Sequence, residues 1–369
     1  MKKIAIISTS YFPNIWNGQG RSTFSTAYIL AQKGYDVSVF TFTNKPAPVM
    51  KQQDGQVTIY YIGGISKPND PVTSLPFADV PAWNERLLPL LLVEKFDTII
   101  LNGWHGMEAA KKYGLAKIVG IVPFLYTFTG WLKPLALGLE QEVKQREAHF
   151  ITQADVLVAH TTKFAQKVVD YANREVYVIP NCHLDLSNSA EQAKPEIKPY
   201  QICAVGRVNR EKSLERIIRV MAIIPEATLV IASPESSVGY YNCLLKLAKK
   251  EDVDHRIKFM GFQPTKVVRD LYRQSALAVV PSQFEPYGYA ATDPMALGTP
   301  VLVSEWSFLD SYLGTPKMVF SSLSELADKI HHAFWRKPKE TLNEIIANKN
   351  KIANELSHEY IGAMLDDVI

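Results

Sequence analysis

Two acids eight positions apart, Glu285 and Asp293, sit in the stretch Pro281-Ser282-Gln283-Phe284-Glu285-Pro286-Tyr287-Gly288-Tyr289-Ala290-Ala291-Thr292-Asp293-Pro294-Met295-Ala296-Leu297-Gly298-Thr299-Pro300. The order of residue types predicts a strand end, a carboxylate in a Pro-bearing turn, a helix opened by Gly288, and a second carboxylate two turns on. Along a helix eight residues rise about 12 Å, which places the two acids near one face. That is wider than the roughly 5–10 Å at which two carboxylates share hydrolytic work, and it suits reading two hydroxyl pairs at opposite ends of a ligand. A charge favoured by the helix dipole would account for Glu285 alone and not for the rest of the stretch.

A second loop, Ala204-Val205-Gly206-Arg207-Val208-Asn209-Arg210-Glu211-Lys212-Ser213-Leu214, carries Arg207 and Lys212 five positions apart. On a strand-loop-helix turn both heads can converge on one diphosphate, the guanidinium as a fork and the ammonium as a point charge. Either alone reads as a solvated surface charge. The third loop, Tyr11-Phe12-Pro13-Asn14-Ile15-Trp16-Asn17-Gly18-Gln19-Gly20-Arg21, has glycines that let backbone N–H groups approach an anion at a helix start. As a nicotinamide fingerprint it fails. The spacing is G-x-G-x-x-T, and no acid ends the second strand.

These loops need strands to hold them. Short β-branched runs recur at 3–9, 36–43, 57–63, 97–102, 118–127, 155–160 and 176–180, with helical patterns such as 23–33, closed by Gly34, and 162–173 between them. That order predicts a parallel sheet. A second series follows at 201–206, 227–233, 256–261, 276–282, 300–304 and 317–320. The expected fold is α/β with two Rossmann-like doubly wound domains facing across a cleft, and ligands beyond the carboxyl ends of the strands. The polar stretch 187–199, SNSAEQAKPEIKP, reads as a linker. Residues 1–186 then form the first domain, 200–345 the second, and 346–369 are helices returning toward the first.

The 369 residues, 47% hydrophobic and 21% charged, fit a two-domain folded chain. A net charge of +3 without a basic tract excludes nucleic acid as a partner and allows at most a peripheral membrane contact. No apolar run is long enough for a membrane span. Three scattered cysteines, Cys182, Cys203 and Cys243, match neither a disulfide framework nor a zinc site, which points to the cytoplasm. Asp252 and Asp254 lie in the charged turn EDVDHR, which reads as solvated rather than as a metal site.

With these residues in view, the chain resembles the retaining GT-B glycosyltransferases of family 4 nearly end to end. Glu285, Pro286, Tyr287, Gly288, Met295, Ala296, Gly298, Thr299, Pro300 and Val301 match its core signature. Gly206, Arg207 and Lys212 match its diphosphate-binding G-R…K, and Val178-Ile179-Pro180-Asn181 looks like the V-I-P-N that leaves its first domain. Three positions depart from the pattern: Asn17 stands at the first loop glycine, Thr129 at a common histidine, and Asp293, followed by Pro294, at the second glutamate.

The resemblance implies transfer of a sugar from a nucleotide diphosphate donor, with retention and without metal or other cofactor. Arg207 and Lys212 would stabilise the departing diphosphate, and Glu285 would orient the donor sugar. Gly18, Gly261, Phe262, Pro286, Tyr287, Gly288, Tyr289 and Asp293 would complete the donor site. Trp16, Asn17, Trp104, His105 and Thr129 would lie on the acceptor or sugar side, with a small-molecule, saccharide or lipid acceptor. The loop Phe259-Met260-Gly261-Phe262-Gln263-Pro264-Thr265 lacks the carboxylate a guanine site would want, which favours UDP over GDP, with ADP a minor choice. The competing readings are a catalytically weak or inactive nucleotide-sugar-binding protein and a GT-B-like sugar-nucleotide epimerase.

Overall fold

The computed structural model describes the chain except residues 12–16, 44, 46–48, 64–74, 76, 124, 126–136, 184–195, 234–236, 286 and 336–337. The chain forms two compact units, Met1–Cys182 with His358–Ile369, and His183–Ser357. The exchange at Cys182/His183 comes a few residues before the polar stretch at 187–199. Residues 187–195 lie outside the described residues, while Lys198 and Pro199 already belong to a strand.

The first unit holds β1 (Lys3–Ser8), α1 (Gly18–Gln32), β2 (Asp36–Phe42), β3 (Val49–Asp54), β4 (Val57–Ile62), α2 (Val80–Val93), β5 (Thr98–Asn102), α3 (Met107–Tyr113), β6 (Lys117–Ile121), α4 (Leu137–Gln153), β7 (Val156–Ala159), α5 (Thr162–Ala172) and β8 (Tyr177–Val178). Its sheet runs β3-β4-β2-β1-β5-β6-β7-β8. Every pairing is parallel except β3 with β4. This antiparallel edge corrects the expectation of a purely parallel sheet. Its strand, VMKQQD, is exposed and polar, so it carries none of the apolar signal of the buried strands.

The second unit holds β9 (Lys198–Val205), α6 (Glu215–Met221), β10 (Thr228–Ala232), α7 (Val238–Lys250), β11 (Ile257–Gly261), α8 (Thr265–Gln274), β12 (Ser275–Val280), α9 (Tyr289–Leu297), β13 (Val301–Ser304), β14 (Val319–Phe320), α10 (Leu323–Trp335) and α11 (Pro338–Glu355). The order β11-β10-β9-β12-β13-β14 is the Rossmann order third-second-first-fourth-fifth-sixth, all parallel. Its core is built from the apolar faces of these strands, among them Ile202, Leu229, Ile231, Leu277, Val279, Leu302 and Val303. Burial of such side chains contributes about 1.5–3 kcal/mol each, which fixes the strand ends and the loops after them.

The last helix, α12 (His358–Asp366), belongs to the first unit, whereas α11 belongs to the second, so the return begins at 358 rather than 346. Helix α12 packs on α1: Lys33 Nζ is 2.8 Å from an Asp366 oxygen, and Tyr35 donates to Asp366 at 3.0 Å. Ile361 and Leu365 are buried there. Among the described residues no helix is long and apolar enough to cross a membrane.

Candidate active site

In an open sheet of Rossmann order the chain leaves opposite ways on either side of its first strand, which opens a crevice at that switch point. In the second unit the switch lies between β9 and β12, where Ile202 faces Leu277 and Cys203 faces Ala278. The loops leaving these two strands carry Lys212 and Glu285.

Backbone geometry sets up the first loop. Gly206 adopts φ +145, and Lys212 ends a single 3-10 turn, Arg210–Lys212, followed by Ser213 in the left-handed region. The chain thereby doubles back and brings the Lys212 stem alongside Gly206. The second loop is stitched to the first where Gln283 N–H donates to the Glu211 carbonyl at 2.8 Å. A third loop, after β13, supports the second: Glu285 N–H donates to the Ser307 carbonyl at 3.3 Å, and Phe284 packs edge-on against Phe308 at 5.7 Å.

Inside this frame Lys212 Nζ donates to Glu285 Oε2, with side chains only 14% and 10% exposed. A charge pair this sheltered interacts more strongly than one at the surface, because fewer waters screen it. Lys212 has three N–H donors, so holding Glu285 leaves donors for a ligand anion. Arg207 lies nearby in sequence but is mostly exposed, its guanidinium 3.6 Å from Glu211.

Gly288 caps α9 at φ +78, and a Cβ there would meet the Tyr312 ring at 3.1 Å, so any other residue is both strained and crowded. This end of the helix carries the positive end of its dipole, which favours an anion. Since α9 starts at Tyr289, Glu285 lies in the loop before it and only Asp293 is on the helix. Helical rise therefore does not set the separation of the two acids, which corrects the 12 Å expectation. Pro294 sits inside α9, and Tyr289 is buried. Tyr287 is half-buried, and Pro286 is outside the described residues.

At the far side of the same sheet Gly261 ends β11 in the left-handed region, and the Phe262 ring that follows is 58% exposed. The Gln263 side-chain amide is committed to the Met260 carbonyl at 2.6 Å.

The first unit has its own switch point, between β1 and β5. Asn17 is the N-cap of α1, its oxygen accepting from Gly20 N–H at 2.6 Å and its amide donating to Ser10 Oγ at 2.8 Å. Gly18 is the first helical residue. Gln19, which the sequence reading did not single out, joins the two loops: it accepts from Thr9 Oγ1 at 3.0 Å and donates to the Asn102 carbonyl at 2.8 Å. Trp104 is expected from the resemblance on the acceptor or sugar side. It is instead 5% exposed, stacked on Phe77 at 5.9 Å and on His105 at 4.1 Å, with the Arg146 guanidinium 5.7 Å from its centre. Burial and Arg146 push the His105 imidazole down to about 3, so it is neutral near pH 7. Trp16 and Thr129 lie outside the described residues.

Burial pushes the Cys182 and Cys203 thiols up to about 12, which removes both as thiolate nucleophiles. Asp252, Asp254 and His255 bring ligand atoms within 4.8 Å of one another, all exposed. They precede β11 and so lie at the amino ends of the parallel strands, opposite the carboxyl ends that carry the Lys212 and Glu285 loops.

Known proteins supply the family. The profile for Glycosyltransferase Family 4 matches residues 16–183, and that for Glycosyl transferases group 1 matches residues 187–349. An uncharacterized glycosyltransferase of Methanocaldococcus jannaschii is 27% identical, over 82% of this chain and 80% of its own length. A D-inositol 3-phosphate glycosyltransferase of Rhodococcus jostii is 26% identical, over 82% of this chain and 74% of its own. In fold, the chain is similar to a sucrose-phosphate synthase from Thermosynechococcus elongatus, with TM-score 0.80 at 18% identity over 100% of this chain and 98% of that one. The two profiles together take in nearly the whole chain, and each falls on one compact unit: the chain belongs to the family 4 glycosyltransferases, enzymes of the GT-B fold.

Proposed function

We propose that this glycosyltransferase takes its sugar from a nucleoside diphosphate donor, UDP-linked by preference, and transfers it with retention of the anomeric configuration and without a metal ion. The observation that carries this reading is the sheltered pair of Lys212 and Glu285 at the switch point of the second sheet.

Breaking the sugar to diphosphate bond leaves the electron pair, and a growing negative charge, on the departing phosphate oxygen. Fixed donors aimed at that charge stabilise the transition state more than the ground state. Lys212, the N-terminus of α9 and the exposed Arg207 are the groups available for this role. Glu285 accepts from hydroxyls of the donor sugar and holds the anomeric carbon in place. By resemblance to the family, the leaving phosphate takes the acceptor's proton. The exposed Asp252, Asp254 and His255 group lies at the amino end of β11, the wrong end of the strands to assist, so a chelator is expected to leave turnover unchanged.

The base is assigned to the loop after β11, where the Phe262 face can stack and no carboxylate is present to read guanine. The acceptor is a small molecule, saccharide or lipid. Because relatives are named for D-inositol 3-phosphate, phosphorylated polyols are the first to screen. Incubation with a panel of nucleotide sugars and acceptors, read by mass spectrometry, tests the reading: a glycosylated product or slow donor hydrolysis supports it. Binding without turnover supports an inactive nucleotide-sugar-binding protein, the reading motivated by Thr129 and Asp293 in place of the family's histidine and second glutamate. Isomerised donor supports an epimerase.

A further inference from the structure

We propose that His183 is a positioning residue of the donor site, bracing through Thr292 the turn of α9 that presents the Asp293 carboxylate to a hydroxyl pair of the donor; this rests on the nucleotide-sugar reading above. His183 opens the second unit, its N–H donating to the Leu356 carbonyl at 3.2 Å, and its side chain is only 1% exposed. Its ring packs edge-on against Tyr289 at 5.7 Å, on the first residue of α9.

The Nε2 atom is hydrogen-bonded to Thr292 Oγ1 and lies 3.6 Å from Asp293 Oδ1. Proton accounting gives the direction. Thr292 has one hydroxyl proton and donates it to the Gly288 carbonyl at 3.2 Å, so it accepts from the histidine. A carboxylate oxygen beside the same nitrogen favours the same tautomer, with the proton on Nε2. The chain Nε2–H to Thr292 O–H to Gly288 C=O ties the residue beside Asp293 to the cap residue that follows the Glu285 loop. His183 is buried while the Asp293 side chain is 20% exposed, so the imidazole backs the carboxylate from the protein side. An ionised carboxylate only accepts, and a pair of adjacent hydroxyls offers donors suited to it. Aspartate is one methylene shorter than the family's glutamate, so its aim depends more on such a brace.

The hydroxyl pair belongs either to the ribose or to the sugar, and calorimetry on the full chain separates the two with UDP, 2′-deoxy-UDP and UDP-glucose. Should guanine prove to be the base, the GDP set replaces them. His183→Leu is expected to weaken UDP about tenfold with little change for 2′-deoxy-UDP if the ribose is read, or to raise the donor KM about tenfold at unchanged UDP affinity if the sugar is read. His183→Gln, which keeps an N–H donor, should restore binding to within about twofold, and in an Asp293→Asn background His183→Leu should add nothing. Thr292→Val carries the same test should the leucine variant fail to fold. Unchanged UDP affinity and donor KM in His183→Leu and Thr292→Val, or an equal loss in the Asp293→Asn background, would overturn the inference and leave the nucleotide-sugar reading standing. A wild-type chain that binds none of these ligands removes both.

Discussion

The Lys212 ammonium and the Glu285 carboxylate meet although 73 residues separate them in the chain, because β9 and β12 are parallel neighbours in the sheet and each delivers its loop at its carboxyl end. Glu211, beside Lys212, and Gln283, two before Glu285, lock the loops together through a backbone hydrogen bond of 2.8 Å. The pair is therefore held by the scaffold as well as by its own attraction, which is what a preorganised charge-stabilising site requires.

Gly288→Ala tests whether the cap of α9 is constrained. The φ of +78 costs a non-glycine residue about 1–2 kcal/mol, and the added Cβ would meet the Tyr312 ring at 3.1 Å. The variant should melt several degrees lower and show a raised donor KM, measured by thermal denaturation and initial rates. An unchanged KM would detach the start of α9 from the donor.

Calorimetry with UDP, GDP and ADP tests the assignment of the base. UDP should bind tightest, and Phe262→Ala should cost about 1–3 kcal/mol of UDP affinity, the usual range for a base stacked on an aromatic ring. GDP binding tenfold tighter than UDP would mean that a carboxylate from elsewhere reads the base.

Stability should fall on acidification partly through His160. Burial, opposed by its 2.9 Å hydrogen bond to the Ile179 carbonyl, pushes this imidazole down to about 4. Unfolded, it takes up a proton near its ordinary value of about 6.5, so between about pH 6.5 and 4 the unfolded state binds more protons and stability drops as pH falls. The slope is up to about 1.4 kcal/mol per pH unit. Denaturant melts of wild type and His160→Gln across this window should differ by that slope; parallel curves would contradict it.

Removing Tyr360 to Ile369 should destabilise the first unit. The segment buries Ile361, Leu365, Val368 and Ile369 and pairs Asp366 with Lys33 and Tyr35. Each apolar side chain contributes about 1.5–3 kcal/mol. A drop of many degrees in the melting temperature is expected, whereas an unchanged melt would make α12 a passenger.

Much of this was legible in the sequence because buried parallel strands write themselves as β-branched runs, and the Lys212 and Glu285 loops follow two of them directly. The edge strand β3 was not, since exposure leaves Met50-Lys51-Gln52-Gln53 polar. The burial of Trp104 was not legible either, because residue type does not reveal what covers a ring, here Phe77 and His105. Gln19 and His183 act through partners 83 and 109 positions away, which no local pattern encodes. The Ser307-Phe308 loop had one usable signal: in Rossmann order the strand before it lies beside β12, so its loop must border Glu285.

Transfer by Glu285→Gln beside wild type is the most direct measurement. The glutamine still accepts from Lys212, so the fold and UDP binding should persist, checked by melting and calorimetry. Release of UDP from a UDP-sugar, with the matching glycosylated product or free sugar, should fall by about 100-fold or more, the scale on which removal of one aligned electrostatic group acts. A Glu285→Gln enzyme that turns over at the wild-type rate would contradict the placement of the chemistry at the Lys212 and Glu285 pair.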